Sequence, residues 1–94
     1  MRAIEPTGRF RKDFKRECKG QHRTTLDDDL SAVLSALRED SPLAVGYRDH
    51  ALSGEWKGCR DCHIKPDLVL IYRLLGVDTL QLMRLGSHAE LFGS

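Results

Sequence analysis

The sequence predicts an α+β fold: a short N-terminal strand, a two-helix hairpin, then an antiparallel β-meander, with the helices packed on one sheet. Three observations carry this. Apolar residues recur at helical spacing as far as Pro42, and beyond it strand-forming runs alternate with short turns. The length, 94 residues, suits one hydrophobic core and one domain over 1–94.

Residues 2–5 form a short possible strand stopped by Pro6. Thr7 then offers a helix N-cap, and the helix is expected to run to Cys18 or Lys19 before Gly20 ends it. At about 100° per residue, Phe10, Phe14 and Cys18 share one side, and Arg11, Lys12, Lys15, Arg16 and Lys19 spread over the other. In the second helix, Thr24 and Thr25 precede Asp27, Asp28 and Asp29. This is capping-box spacing, with negative charge at the positive end of the helix dipole. Leu26, Leu30, Val33, Leu34 and Leu37 form its apolar stripe, and Ser41-Pro42 closes it. Residues 55–64 read as one strand, Lys65-Pro66-Asp67 as a turn, 68–75 as a central strand apolar on both faces, and 79–85 as a last strand ending at Gly86.

Apolar residues at 40% and charged residues at 31% describe an ordinary globular chain. No apolar run approaches the roughly 20 residues that span a bilayer, so no membrane is expected. Charge and proline in the first six residues read against a secretory signal, and a cytoplasmic location is the expectation. The net charge of +1 hides segregation: residues 2–23 hold eight Lys/Arg against three Asp/Glu, and residues 24–40 hold one against five. The N-terminal segment is therefore a local basic patch, suited to an anionic partner. Three cysteines, an odd number, read as buried thiols in a reducing compartment rather than a disulfide framework.

The chemistry concentrates between Asp49 and Asp67 and again at Gly86-Ser87-His88. Cys59-Arg60-Asp61-Cys62-His63 matches the C-x-x-C-H signature of c-type haem, with Met83 as a conceivable distal ligand. Strand alternation points Cys59 and Cys62 to opposite faces, which defeats haem attachment and a two-cysteine zinc site alike. That leaves at most a mixed site of Cys62 with histidines from elsewhere. No metal or cofactor is expected.

Acid–base chemistry is the remaining reading. Alternation puts Asp61 and His63 on one face with Lys57 and Cys59, and Arg60 on the other. His50 precedes the first long strand, Asp67 follows the turn, and His88 follows the last strand on what reads as a flexible turn. Imidazole exchanges protons near neutrality. Histidines at three strand ends are therefore able to meet on one rim of the sheet.

These residues carry a resemblance. The run Asp49-His50-x-Leu52-x-Gly54-x-Trp56-Lys57-Gly58-x-Arg60-Asp61-x-His63-x-x-Pro66-Asp67, then Leu70-Ile71-Tyr72-Arg73, then Arg84-x-Gly86-Ser87-His88-Ala89-x-Leu91-Phe92-Gly93, resembles the YafQ-type toxins of the RelE/ParE superfamily. It covers residues 49–93; the N-terminal half is similar in layout more than in residues. Cys59 and Cys62 depart from the family's usual aromatic and small residues.

The resemblance implies a metal-independent endoribonuclease that cleaves mRNA in the ribosomal A site, neutralised by a cognate antitoxin. The toxin–antitoxin complex would bind operator DNA through the antitoxin. His50, His63, Asp67 and His88 would carry the chemistry, with Asp61 and Phe92 in support. A base deprotonates the ribose 2′-OH, which attacks phosphorus in line, and an acid protonates the leaving 5′-oxygen. Arg84, with Lys57 and Arg60 as weaker candidates, would stabilise the phosphorane. Phe92 would stack on a base, and Trp56 reads as core. Lys57, Arg60 and the basic face of the first helix (Arg11, Lys12, Lys15, Arg16, Lys19) would meet RNA, including ribosomal RNA. The alternative is a non-catalytic, ParE-like toxin acting on a protein target.

Overall fold

The computed structural model describes residues 1–93. In chain order the elements are β1 (Ala3–Pro6), α1 (Gly8–Glu17), α2 (Leu26–Arg38), β2 (His50–Ala51), β3 (Arg60–Lys65), β4 (Leu68–Leu75), β5 (Thr79–Gly86) and α3 (His88–Phe92). Single 3₁₀ turns cover Val45–Tyr47 and Gly54–Trp56. The strands form one sheet in the order β1-β5-β4-β3-β2. Strands β3, β4 and β5 make the expected antiparallel meander, β2 adds an unexpected two-residue edge strand antiparallel to β3, and β1 lies parallel to β5, so the sheet is mixed.

Arg2 ties the N-terminus down. Its buried guanidinium donates to Asp40 Oδ1 at 2.8 Å and to the Gly76 and Thr79 carbonyls at 3.0 Å each. Thr7 caps α1 by accepting from the Phe10 amide, and its hydroxyl donates to the Leu82 carbonyl of β5. Helix α1 stops at Glu17, so Cys18 never follows Phe10 and Phe14 into the core and is exposed. The Asp27–Asp29 triplet occupies the first turn of α2, but the Thr25 side chain makes no cap bond, so the dipole term operates without the expected capping box.

The sheet has a core on each face. On one side Leu26, Leu30, Val33 and Leu37 of α2 and Phe10 of α1 pack against Cys62, Leu70, Tyr72, Leu80 and Leu82. On the other, Cys59, Val69, Ile71 and Leu91 form a smaller cluster, flanked by Leu52, Trp56, Met83 and Phe92. Cys59 and Cys62 thus fall on opposite sides. The helical hairpin covers the first face, and α3 with the 50–59 segment covers the second. Among the described residues no helix is long and apolar enough to cross a membrane.

The single strand expected over residues 55–64 is corrected to a 3₁₀ turn followed by β3. Gly54 and Gly58 take φ of 67° and 92°, where glycine alone is unstrained, so the two glycines around Glu55-Trp56-Lys57 override the alternation. The flexible turn expected around His88 is likewise a helix. Ser87 accepts from the Glu90 amide while Glu90 accepts from the Ser87 amide, a complete capping box over Ser87–Glu90.

Candidate active site

The second face of the sheet carries an open cleft of about 440 Å³ lined by His50, Trp56, Asp61, His63, His88 and Phe92, with Leu52 and 53–55 closing one side. Its geometry follows from pairing. His50 of β2 sits opposite Asp61 of β3, so their side chains share a face, and His63 lies two residues further along the same face. The α3 helix starts directly after β5 and brings His88 over them, its ring against Phe92 at 4.6 Å. The three imidazoles converge as expected, although β2 is only two residues long.

Asp61 is at the centre. It is 2% exposed, and its Oδ1 is buried without a hydrogen-bond donor. Burial raises its pKa above the ordinary carboxylate value, opposed by the charges of His50, His63 and His88. The His50 Nδ1 lies 3.0 Å from that oxygen but is aligned on the Arg48 carbonyl at 2.7 Å. A carbonyl only accepts, so Nδ1 carries a hydrogen, and Nε2 is left as the nitrogen that exchanges a proton with substrate. Asp61 therefore acts on His50 by charge at close range, without a shared hydrogen bond.

Other expected site residues lie elsewhere. Asp67 is exposed at the β3–β4 turn, where its carboxylate accepts from His22 and Gln21 of the α1–α2 connection; the His22 bond holds its pKa below the usual range. It does not line the cleft. Arg84 is also outside it, because its guanidinium donates to Asp13 Oδ2 at 2.6 Å and to Asp13 Oδ1 at 3.2 Å. Asp13 is 4% exposed and takes the Leu85 amide as well. Burial alone raises its pKa, yet the hydrogen bonds from Arg84 and Leu85 and the charges of Arg84 and Arg16 bring it below normal.

Arg16 belongs to this same clasp. It donates to the Leu85 carbonyl at 2.8 Å and pairs with Asp13, Glu17 and Glu90, so it is not a free cation on the basic face. Arg11, Lys12 and Lys15 are exposed on α1, which packs against the opposite face of the sheet from the cleft, and Lys19 is exposed just past its end. Arg60 leaves the cleft side as alternation requires, pairing with Asp49 at 3.3 Å, and Asp49 also accepts the Tyr72 hydroxyl. Lys57 is exposed after the 3₁₀ turn.

Burial pushes the Cys62 thiol up to about 12, so it stays protonated. Two roles escaped the sequence reading. One is the Arg48 carbonyl, which orients His50; backbone groups leave no residue signature. The other is the Asp13–Arg16–Glu90 clasp that seats α3, whose Ser87-x-x-Glu90 half was present in the sequence.

Residues 2–93 match the family described as "Bacterial toxin of type II toxin-antitoxin system, YafQ". The chain belongs to the YafQ family. It is 41% identical over 94 residues to the mRNA interferase toxin YafQ of Escherichia coli, covering 99% of this chain and 98% of that one. Among solved YafQ-like structures, the E. coli DinJ–YafQ complex superposes with a TM-score of 0.82 at 40% identity, covering 99% of this chain and 100% of that chain. A copper-bound mutant toxin from Helicobacter pylori gives 0.84 at 41% identity, covering 98% and 100%. In the present chain no group of three or more His, Cys, Asp or Glu side chains among the described residues is placed to hold a metal ion. Family membership does not favour the ParE-like alternative.

Proposed function

We propose that this chain is an mRNA interferase: an endoribonuclease that cuts message in the A site of the translating ribosome and is neutralised by a cognate antitoxin. The observation that carries the reading is a buried, hydrogen-bond-deficient carboxylate, Asp61, among three imidazoles on one open cleft. Family membership points the same way, as does the seating of the E. coli relative in a complex with DinJ.

In the proposed mechanism His50 Nε2 takes the proton of the ribose 2′-OH, which attacks the adjacent phosphorus. His88, with His63 beside it, donates to the leaving 5′-oxygen. The products are a 2′,3′-cyclic phosphate and a 5′-hydroxyl. Asp61 stabilises the imidazolium that forms on His50, and Phe92 gives a base a stacking surface next to the acid. Asp67, bonded to His22, holds the β3–β4 turn from outside the cleft. Arg11, Lys12, Lys15 and Lys19 contact ribosomal RNA away from the scissile bond, and operator DNA is met through the antitoxin. Two proton-transfer groups suffice for this chemistry, so the reaction is assigned as metal-independent.

The test is cleavage of a defined message on translating ribosomes, with toxin stripped by chelation and exchanged into fresh buffer. Stripped and unstripped toxin are expected to cut equally fast, leaving cyclic phosphate and 5′-hydroxyl ends. Ends of the 3′-hydroxyl and 5′-phosphate type, or activity that returns only with added metal, would sink the mechanism. Growth arrest without RNA cleavage would favour a protein target.

Gly86 supplies a second test. A Cβ there would come within 2.7 Å of Arg16 Nη2 and 3.1 Å of Glu90 Oε1, both held in the clasp that seats α3. Gly86→Ala is expected to lower kcat roughly tenfold, on the scale of a misplaced catalytic group, with a melting shift of a few degrees. An unchanged kcat would show that His88 does not depend on this seating.

A further inference from the structure

His63 has two sides. One faces the cleft; the other lines a separate groove of about 480 Å³, walled by Tyr47, Arg48, Ile64, Lys65 and Pro66. The two depressions meet at that imidazole. Their charges differ in a way that bears on an anionic substrate. The cleft walls hold two acidic residues, Glu55 and Asp61, and no lysine or arginine. The groove holds Arg48 and Lys65 with one acidic residue, Asp29. Lys65 is paired with Asp29 at 2.9 Å, whereas Arg48 is exposed and has no ion pair among the described residues.

Arg48 also has an unusual backbone. It closes the Val45–Tyr47 turn at φ 51° and ψ 39°, a left-handed conformation that non-glycine residues seldom adopt. This is the residue whose carbonyl accepts from His50 Nδ1 at 2.7 Å. One residue thus places a free cation beside one histidine and sets the orientation of another.

We infer that the groove is the subsite for the nucleotide adjoining the scissile phosphate in single-stranded RNA, with Arg48 as its phosphate-binding group and Tyr47 as the surface for its base. The inference rests on the ribonuclease reading above and adds to it the source of positive charge that the cleft lacks. Arg48 binds substrate; through its carbonyl it is also a positioning residue for His50. A chain laid across His63 puts one phosphate between the imidazoles and the next against the guanidinium.

The test uses a fluorescein-labelled six-nucleotide RNA with 2′-O-methyl riboses, which cannot be cleaved by 2′-OH attack, and reads binding by anisotropy across a salt series. Four proteins are compared: wild type, Arg48→Gly, Arg48→Lys and Tyr47→Ala. Glycine removes the guanidinium while fitting the left-handed turn without strain, so this variant is expected to melt at or above the wild-type temperature. It is expected to bind about tenfold more weakly, the loss of one charged hydrogen bond. The slope of log affinity against log salt should fall by about 0.7, one phosphate contact on a single strand. Arg48→Lys should restore the slope and part of the affinity, and Tyr47→Ala should weaken binding without changing the slope. Equal affinity and slope for wild type and Arg48→Gly, including the case where neither binds, would overturn the subsite. A wild type that binds through Arg48 yet cuts no RNA on ribosomes would instead overturn the ribonuclease reading and leave the subsite standing.

Discussion

His88→Ala is expected to abolish mRNA cleavage and growth inhibition while leaving a folded protein that still binds its antitoxin. The imidazole is exposed at the first position of α3, and its ring packs against that of Phe92, one helical turn on. The cap of that helix belongs to Ser87 and Glu90, and alanine is a better helix former than histidine. Loss of the ring pair should therefore cost no more than about 0.5–1.5 kcal/mol. Loss of a general acid slows the chemical step by roughly 100–10,000-fold, about 3–5 kcal/mol in the barrier. Single-turnover cleavage on ribosomes, thermal melts and antitoxin titration separate the two effects. Near-normal cleavage would remove His88 from the mechanism, and unfolding would make its role structural.

Asp61→Asn should do the opposite to stability. A carboxylate that burial holds above its ordinary pKa binds its proton more tightly in the folded chain than in the unfolded one. Stability from this group is therefore greatest below the unfolded value, about 3.9. It declines as pH rises from there through the raised folded value, and the full penalty remains at neutrality. Asparagine carries no such penalty, so the variant should melt at or above the wild-type temperature at pH 7, with the difference shrinking as the pH is lowered toward about 4. Its activity should nevertheless fall on the order of 100-fold or more, because the charge that stabilises the His50 imidazolium is gone. A variant that is both less stable at neutral pH and fully active would refute the role given to this carboxylate.

Local chemistry made much of this structure legible from sequence. The α2 stripe, the β4 run and the meander follow from periodicity and turn residues, and the meeting of three histidines follows from His63 sharing a strand face with Asp61, His50 preceding β3 and His88 following β5. The errors also have local causes. Gly54 and Gly58 punctuate what reads as a strand, and the Ser87–Glu90 capping box marks a helix where a loose turn was expected. Arg84, Arg16 and Asp67 are different. Arg84 reaches Asp13 across 71 residues, Arg16 the Leu85 carbonyl across 69 and Asp67 His22 across 45, and no window on the chain reveals these pairings, although Arg16 also meets Asp13 three residues away. A charged residue beside a functional motif is as readily absorbed by the scaffold as by the substrate.

The parallel pairing of β1 with β5 has a consequence in time. The first strand of the chain has β5 as its one neighbour in the sheet, bonding through residues 78–82, so β1 and its docked α1 have no sheet to close on until β5 is made. Contacts of this sequence separation delay folding, because the chain gives up loop entropy before any of them is rewarded. At about 5–20 residues per second, translation of the intervening segment takes several seconds. The cleft is later still, since His88 follows β5. A nascent chain of this toxin therefore has no assembled histidine site until both β5 and α3 have emerged.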